Sequence, residues 1–197
     1  MPTDVERSFT ANLQVDGYPV NVLGNMTTGP VVLASPHKLP AYGVNGTHTL
    51  GMLDALDKDW SHEQELGLIS FDKAPQPPTL LLYFRYSQAG YRIYLRSGPH
   101  FGKGVFTTAD GLVNVQPTKP TYPTQWQLID AQRDAPFDVH QVSENQCDIR
   151  ATNLDGHPLE VHGLFPVGGF LACYPAAYSS TLSLIILERG VDWLNPG

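Results

Sequence analysis

The heptapeptide DGYPVNV (residues 16–22) is echoed twice along the chain, as AGYRIYL (89–95) and DGHPLEV (155–161). Each copy has a glycine (Gly17, Gly90, Gly156), then a ring, then aliphatics three and five residues beyond the glycine. Those aliphatics are Val20 and Val22, Ile93 and Leu95, and Leu159 and Val161. Alternation with period two puts them on one face of a strand and the intervening residues on the other. Asp16–Gly17 and Asp155–Gly156 are strong turn dipeptides, in which glycine supplies the positive φ of a tight hairpin. Further out, a glycine-led apolar stretch follows each copy: GPVVLASP (29–36), GKGVFTTADG (102–111) and GGFLACYP (168–175). A last apolar run closes each copy: LGLISF (66–71), QWQLID (125–130) and LSLIILE (182–188). Three strand–turn–strand–loop–strand units are therefore predicted, spanning approximately 8–72, 80–131 and 146–189 within a single domain, 1–197.

The composition agrees with an all-β chain. Eighteen glycines and 17 prolines are spread over 197 residues, the punctuation of many short strands. Helical spacing is confined to LGMLDALDKDWSHEQEL (50–66), where Leu50, Leu53 and Leu56 lie three apart. This segment is read as an insertion in the first unit carrying one short helix. The predicted core is Val20, Val22, Leu33, Ile69, Ile93, Leu95, Phe106, Leu128, Leu159, Val161, Leu171 and Ile186.

One such unit alone buries one face and leaves its edges open, whereas three about a pseudo-threefold axis close a barrel. The second copy, YFRYSQAGYRIYLRSGPHFGKGVFTTADGLVNVQPTKPTYPTQWQLID (83–130), resembles a repeat of the β-trefoil superfamily. That superfamily includes ricin-B-like lectins, fungal trefoil lectins, fascin-like domains and some protease inhibitors. The resemblance implies a β-trefoil: a six-stranded barrel capped by hairpins. Gln125 and Trp126 are adjacent, unlike the Gln–any–Trp signature of the lectin members, so the resemblance bears on fold more than on sugar binding.

Charge and motifs narrow the function. A net charge of −7 opposes a polyanionic ligand, so nucleic acid is not an expected partner. Arg85, Arg92 and Arg96 alternate with apolar residues and read as outward-facing strand positions. The absence of an 18-residue apolar run predicts no membrane span, and the first residues lack the basic start and apolar core of a secretory signal. A cytoplasmic location, or export by another route, is the expectation. Cys147 and Cys173 read as buried thiols, with a single bridge between them as the alternative.

No catalytic signature is legible. His157, Glu160 and His162 lie close in sequence, but on a strand only Glu160 and His162 share a face, and HExxH is absent. HEQE (62–65) reads as a solvated face. Ser35 and Ser97 have no nucleophile-elbow context, Ser35 lying near His37 in sequence alone, and GKG (102–104) precedes a strand rather than a helix. No enzyme activity, metal or cofactor is therefore expected.

A binding module remains. Sugar sites pair a ring that stacks on the pyranose with carboxylates or amides that bond its hydroxyls. Asp16 with Tyr18, Tyr91 beside Gln88, and Asp155 with His157 supply that chemistry in the three phrases. Asp110 and Asn114 add to it in TADGLVNVQP, and Tyr174 and Tyr178 in CYPAAY. The expected function is lectin-like binding of neutral glycans or glycoproteins. The alternative is a protein-binding trefoil, such as a protease inhibitor or a toxin-associated module, acting through the proline-rich loops DKAPQPPT (72–79) and QPTKPTYPT (116–124).

Overall fold

The computed structural model describes residues 2–34, 42–55, 57–88, 90–164, 167–175 and 178–193. Ser35, His37, Leu56 and Ala89 lie outside the described residues. The chain is nearly all β, with 47% strand and 9% helix. Twelve principal strands run in order: β1 (Phe9–Val15), β2 (Asn21–Val22), β3 (Leu50–Leu53), β4 (Leu82–Ser87), β5 (Gly90–Leu95), β6 (Gly104–Thr107), β7 (Val113–Gln116), β8 (Gln125–Asp130), β9 (Gln146–Asn153), β10 (Leu159–Leu164), β11 (Gly168–Cys173) and β12 (Leu182–Arg189).

Six of these close a ring. β1 pairs with β4, β4 with β5, β5 with β8, β8 with β9, β9 with β12, and β12 returns to β1, every pairing antiparallel. Closure satisfies both edges of each barrel strand, which one hairpin cannot do. The remaining strands form hairpins that cap the barrel. β10, β11, β3 and β2 make one four-stranded sheet. β6 and β7 pair with each other, and bridges Thr49–Asn114 and Leu112–Ala172 tie that hairpin to the others. The result is a trefoil-like all-β fold.

Period-two alternation builds the core. Phe9, Ala11, Leu13 and Val15 of β1 point inward with Leu82, Phe84, Tyr91, Ile93, Leu95, Trp126, Leu128, Ile149, Leu182, Leu184 and Ile186. Of the predicted core residues, ten are buried, while Ile69 and Val161 are only partly buried against the clusters.

The three echoed phrases do not occupy equivalent places. Asp16–Gly17 turns β1 toward β2, and Gly156 turns β9 toward β10, with φ of 83° and 77° at the two glycines. AGYRIYL instead opens a barrel strand, Gly90 pairing with Ser87 in the β4–β5 hairpin. A Cβ on Gly90 would lie 2.9 Å from the Trp126 carbonyl oxygen and 2.9 Å from Gln125 Cγ. Close approach of β8 therefore demands this glycine, whereas turn geometry demands the other two. The counterpart of the β1–β2 turn in the second unit is the β5–β6 connection, 96–103.

The closing run of the first unit also differs from expectation. LGLISF (66–71) forms no strand, and Leu66 and Leu68 are 57% and 66% exposed. β4 closes that unit instead. The extra sequence of the first unit enters at two places, 23–49 and 54–81, where the other units have short connections. Leu50–Leu53 is strand β3, and the helix of this region is Asp57–Glu65. Two further single-turn helices, Asp4–Arg7 and Leu23–Met26, went unanticipated. Trp60 of the longer helix stacks edge-on against Phe71, at 5.7 Å, in a second apolar cluster with Leu23, Met26, Leu33 and Phe170. That cluster seats the inserted segments on the hairpin cap.

Candidate functional site

A cleft of about 740 Å³ opens between the β6–β7 hairpin and the β9–β10 turn. Three separate stretches supply its walls. Thr107, Thr108, Ala109 and Gly111 come from the first, Pro123, Thr124 and Gln125 from the approach to β8, and Asn153, Leu154, Asp155 and His157 from the third. Arg92 of β5, Cys173 of β11 and Pro175 complete it.

Local hydrogen bonds hold these walls. Asn153 Oδ1 accepts from the His157 amide at 2.9 Å, and the His157 carbonyl accepts from the Asn153 amide at 3.0 Å and from Cys173 Sγ at 3.0 Å. The turn carrying Asp155 and His157 is thus fixed to β9 and β11. Across the cleft, Thr124 Oγ1 accepts from the Thr107 amide at 2.8 Å, and Thr108 Oγ1 from the Leu112 amide at 3.1 Å. Gln125 Nε2 donates to the Ser87 and Gln88 carbonyls at 2.7 and 3.0 Å. Asp155 stays exposed and His157 half-buried. The arrangement offers hydroxyls, a carboxylate, an imidazole and a guanidinium around an open space. Groups of that kind bind polyols by hydrogen bonding.

The cleft unites two of the sequence-predicted site residues, Asp155 and His157. The other six lie elsewhere. Asp16 and Tyr18 are exposed at the β1–β2 turn, Asp16 with a positive φ of 49°. Asp110 accepts a hydrogen bond from the Tyr42 hydroxyl at 2.5 Å. Asn114 Oδ1 accepts from Thr49 Oγ1 at 2.7 Å, which commits its amide to joining two hairpins. Tyr91 is a correction: at 3% exposure it belongs to the barrel core, and its buried hydroxyl is raised well above the usual phenol range. Period two decides this, because Tyr91 shares a face with Ile93 and Leu95. Tyr174 is corrected likewise. It is buried, and its hydroxyl is 3.0 Å from His162 Nδ1.

His162 forms a small cluster of its own. Its Nε2 lies 3.4 Å from Glu160, on the strand face they were expected to share. Burial lowers its pKa, against the pull of the Glu160 carboxylate. Among the described residues, no three His, Cys, Asp or Glu side chains are placed to hold a metal ion. Both cysteines are free thiols, pushed up to about 11, chiefly by burial. Among the described residues no helix is long and apolar enough to cross a membrane.

Sequence reasoning missed Thr107, Thr108, Thr124, Asn153 and Arg92. No local pattern distinguishes them, since each acquires its role only when β5, β8 and β9 become neighbours. The chain matches no protein-family model, no curated protein and no solved structure.

Proposed function

We propose that the protein is a non-catalytic, lectin-like member of the β-trefoil superfamily that binds a glycan in the cleft between the β6–β7 hairpin and the β9–β10 turn. The observation that carries this reading is the convergence of Asp155, His157, Thr108 and Thr124 on one open cleft held by hydrogen-bonded turns. Asp155 accepts from adjacent sugar hydroxyls, the threonine hydroxyls donate and accept, and the His157 ring lies against an apolar sugar face. Pre-formed walls lessen the ordering cost that weakens shallow sites.

A glycan array probed with the purified protein tests the reading. Selective binding, weakened at least about tenfold by Asp155→Ala with His157→Ala, is expected from the loss of a charge-assisted hydrogen bond and a ring contact. Glycan binding unchanged in that variant would remove the cleft from the account.

One observation favours a second reading. Tyr122, in the proline-rich segment 116–124, is 76% exposed. A large apolar ring on a stiff loop suits capture of a protein target. Inhibition of a protease, with no glycan bound, would put this reading in place of the first.

A further inference from the structure

The outer wall of the barrel carries a like-charge pair that the glycan cleft does not explain. Arg85 of β4 stands directly opposite Arg92 of β5. Their neighbours Phe84 and Ile93 face the core, so both guanidinium groups face outward. Like charges at directly paired positions destabilise a sheet. Among the described residues neither arginine takes part in an ion pair. Asp4 and Asp192 share a separate depression with Arg85, and Asp155 shares the large cleft with Arg92, all beyond ion-pairing distance.

The pair lines a groove of about 280 Å³ with Ser87, Gln88, Tyr94 and Tyr122, and no carboxylate lines it. The Tyr122 ring packs on the Arg92 guanidinium at 5.3 Å, and an Arg92 N–H donates to the Pro123 carbonyl. Arg92 is therefore held in place with donors to spare. Tyr94 lines the groove with them: burial raises the pKa of its hydroxyl, and the charges of Arg85 and Arg92, with hydrogen bonding from Arg85, draw it back down. Two neighbouring guanidinium forks, one of them held, beside hydroxyl and amide donors match the oxygens of a tetrahedral oxyanion. The groove is smaller than a typical pocket for a drug-sized ligand, so it suits one such group.

We propose that this groove binds a sulfate or phosphate group, and that the glycan of the adjoining cleft carries it. Arg92 lines both spaces, so one ligand reaches from the cleft to the groove across that residue. The inference rests on the glycan reading and revises its substrate class from a neutral to an acidic sugar. Local positive charge in a chain of net charge −7 then selects anionic substituents on an otherwise neutral ligand.

The test is calorimetric titration of the full chain with a sulfated oligosaccharide, its phosphorylated analogue and its desulfated parent, together with inorganic sulfate and phosphate followed by arginine side-chain NMR signals. The anionic forms are expected to bind at least about tenfold more tightly than the parent, with the advantage falling as salt rises. Preference between the sulfated and phosphorylated forms assigns the ester. Arg85→Gln is expected to abolish the advantage while leaving the parent's affinity unchanged, because Arg85 lies outside the cleft. Arg92→Gln should weaken all three; if it does not fold, Arg85→Gln carries the test alone. Equal affinity for sulfated and desulfated forms would overturn the inference and leave the glycan reading intact. Inorganic sulfate shifting the arginine signals while no oligosaccharide binds would uphold the anion groove and overturn the glycan reading. Tighter binding of a single-stranded oligonucleotide than of any glycan would reassign the groove to nucleic acid.

Discussion

Substitution at Gly90 and at Gly156 separates two reasons for glycine that look identical in sequence. At Gly90 an alanine Cβ meets the Trp126 carbonyl and Gln125 Cγ at 2.9 Å and Gln125 Nε2 at 3.0 Å. Backbone cannot retreat without opening the β5–β8 pairing, so the Gln125 side chain must shift. One of its hydrogen bonds to the Ser87 and Gln88 carbonyls, which bind the β4–β5 turn to β8, is then lost. Overpacking costs about 1–3 kcal/mol and a lost buried hydrogen bond about 1 more, giving about 2–4 kcal/mol for Gly90→Ala. For a chain this long that lowers Tm by roughly 4–16 °C. At Gly156 nothing lies within 4 Å of the added Cβ, but φ is 77°. Alanine there costs about 1–2 kcal/mol for the left-handed backbone, and asparagine, which tolerates that region, costs less. The diagnostic is the order of the variants in urea denaturation. Asparagine should outrank alanine at 156, and alanine should outrank asparagine at 90. Gly90→Ala within about 0.5 kcal/mol of wild type, the range of surface substitutions, would refute the close-approach account, as would a better-tolerated asparagine at 90.

Leu95→Ala and Leu159→Ala, at 0% and 4% exposure, should each cost about 2–5 kcal/mol in the same assay, and a loss below about 0.5 kcal/mol at both would contradict the strand phase. Cys173, buried and with its thiol pushed up to about 11, should label with a thiol reagent at about pH 8 only after unfolding, ahead of which the half-buried Cys147 should react; prompt labelling of Cys173 in the native protein would contradict its burial. Asp130 is buried, which opposes its ionisation, yet bonds from the Arg133 and Gln132 amides and the Arg133 guanidinium outweigh that and hold its carboxyl below 3.8. Its folded pKa lies below the unfolded value, so its contribution is complete above the ordinary carboxylate range and fades as pH falls through the lower folded value. The Tm of wild type and Asp130→Asn should therefore differ at neutral pH and converge on acidification; a constant gap would show that the lowered carboxyl contributes nothing.

Much of the barrel was legible because period two is a property of neighbouring residues. Val20, Val22, Ile93, Leu95, Leu159 and Leu171 could be placed inward without knowing their partners. Equivalence between units was less legible. Gly17, Gly90 and Gly156 write the same letters for different causes, and the crowding at Gly90 comes from β8, some 35 residues away. LGLISF has the composition of a strand, but the insertion leaves Leu66 and Leu68 at the surface and packs Phe71 into the second apolar cluster, while β4 takes the barrel position. Tyr91 has the ring of a sugar platform, but its strand phase points inward. The cleft itself was half-legible. Asp155 and His157 are local to one turn, while Thr107, Thr124 and Arg92 join them only through pairings across the barrel. The Arg85–Arg92 pair was read as outward-facing, but its register across β4 and β5 required the fold.

The most direct measurement of the central claim is hydrogen exchange of the full chain with and without the tightest ligand from the glycan array. Slowed exchange is expected at 107–111 and 153–157, the two lips of the cleft, with little change at the loop 72–79. Protection confined to the proline-rich loops 72–79 and 117–122, with the lips of the cleft unchanged, would contradict the glycan reading.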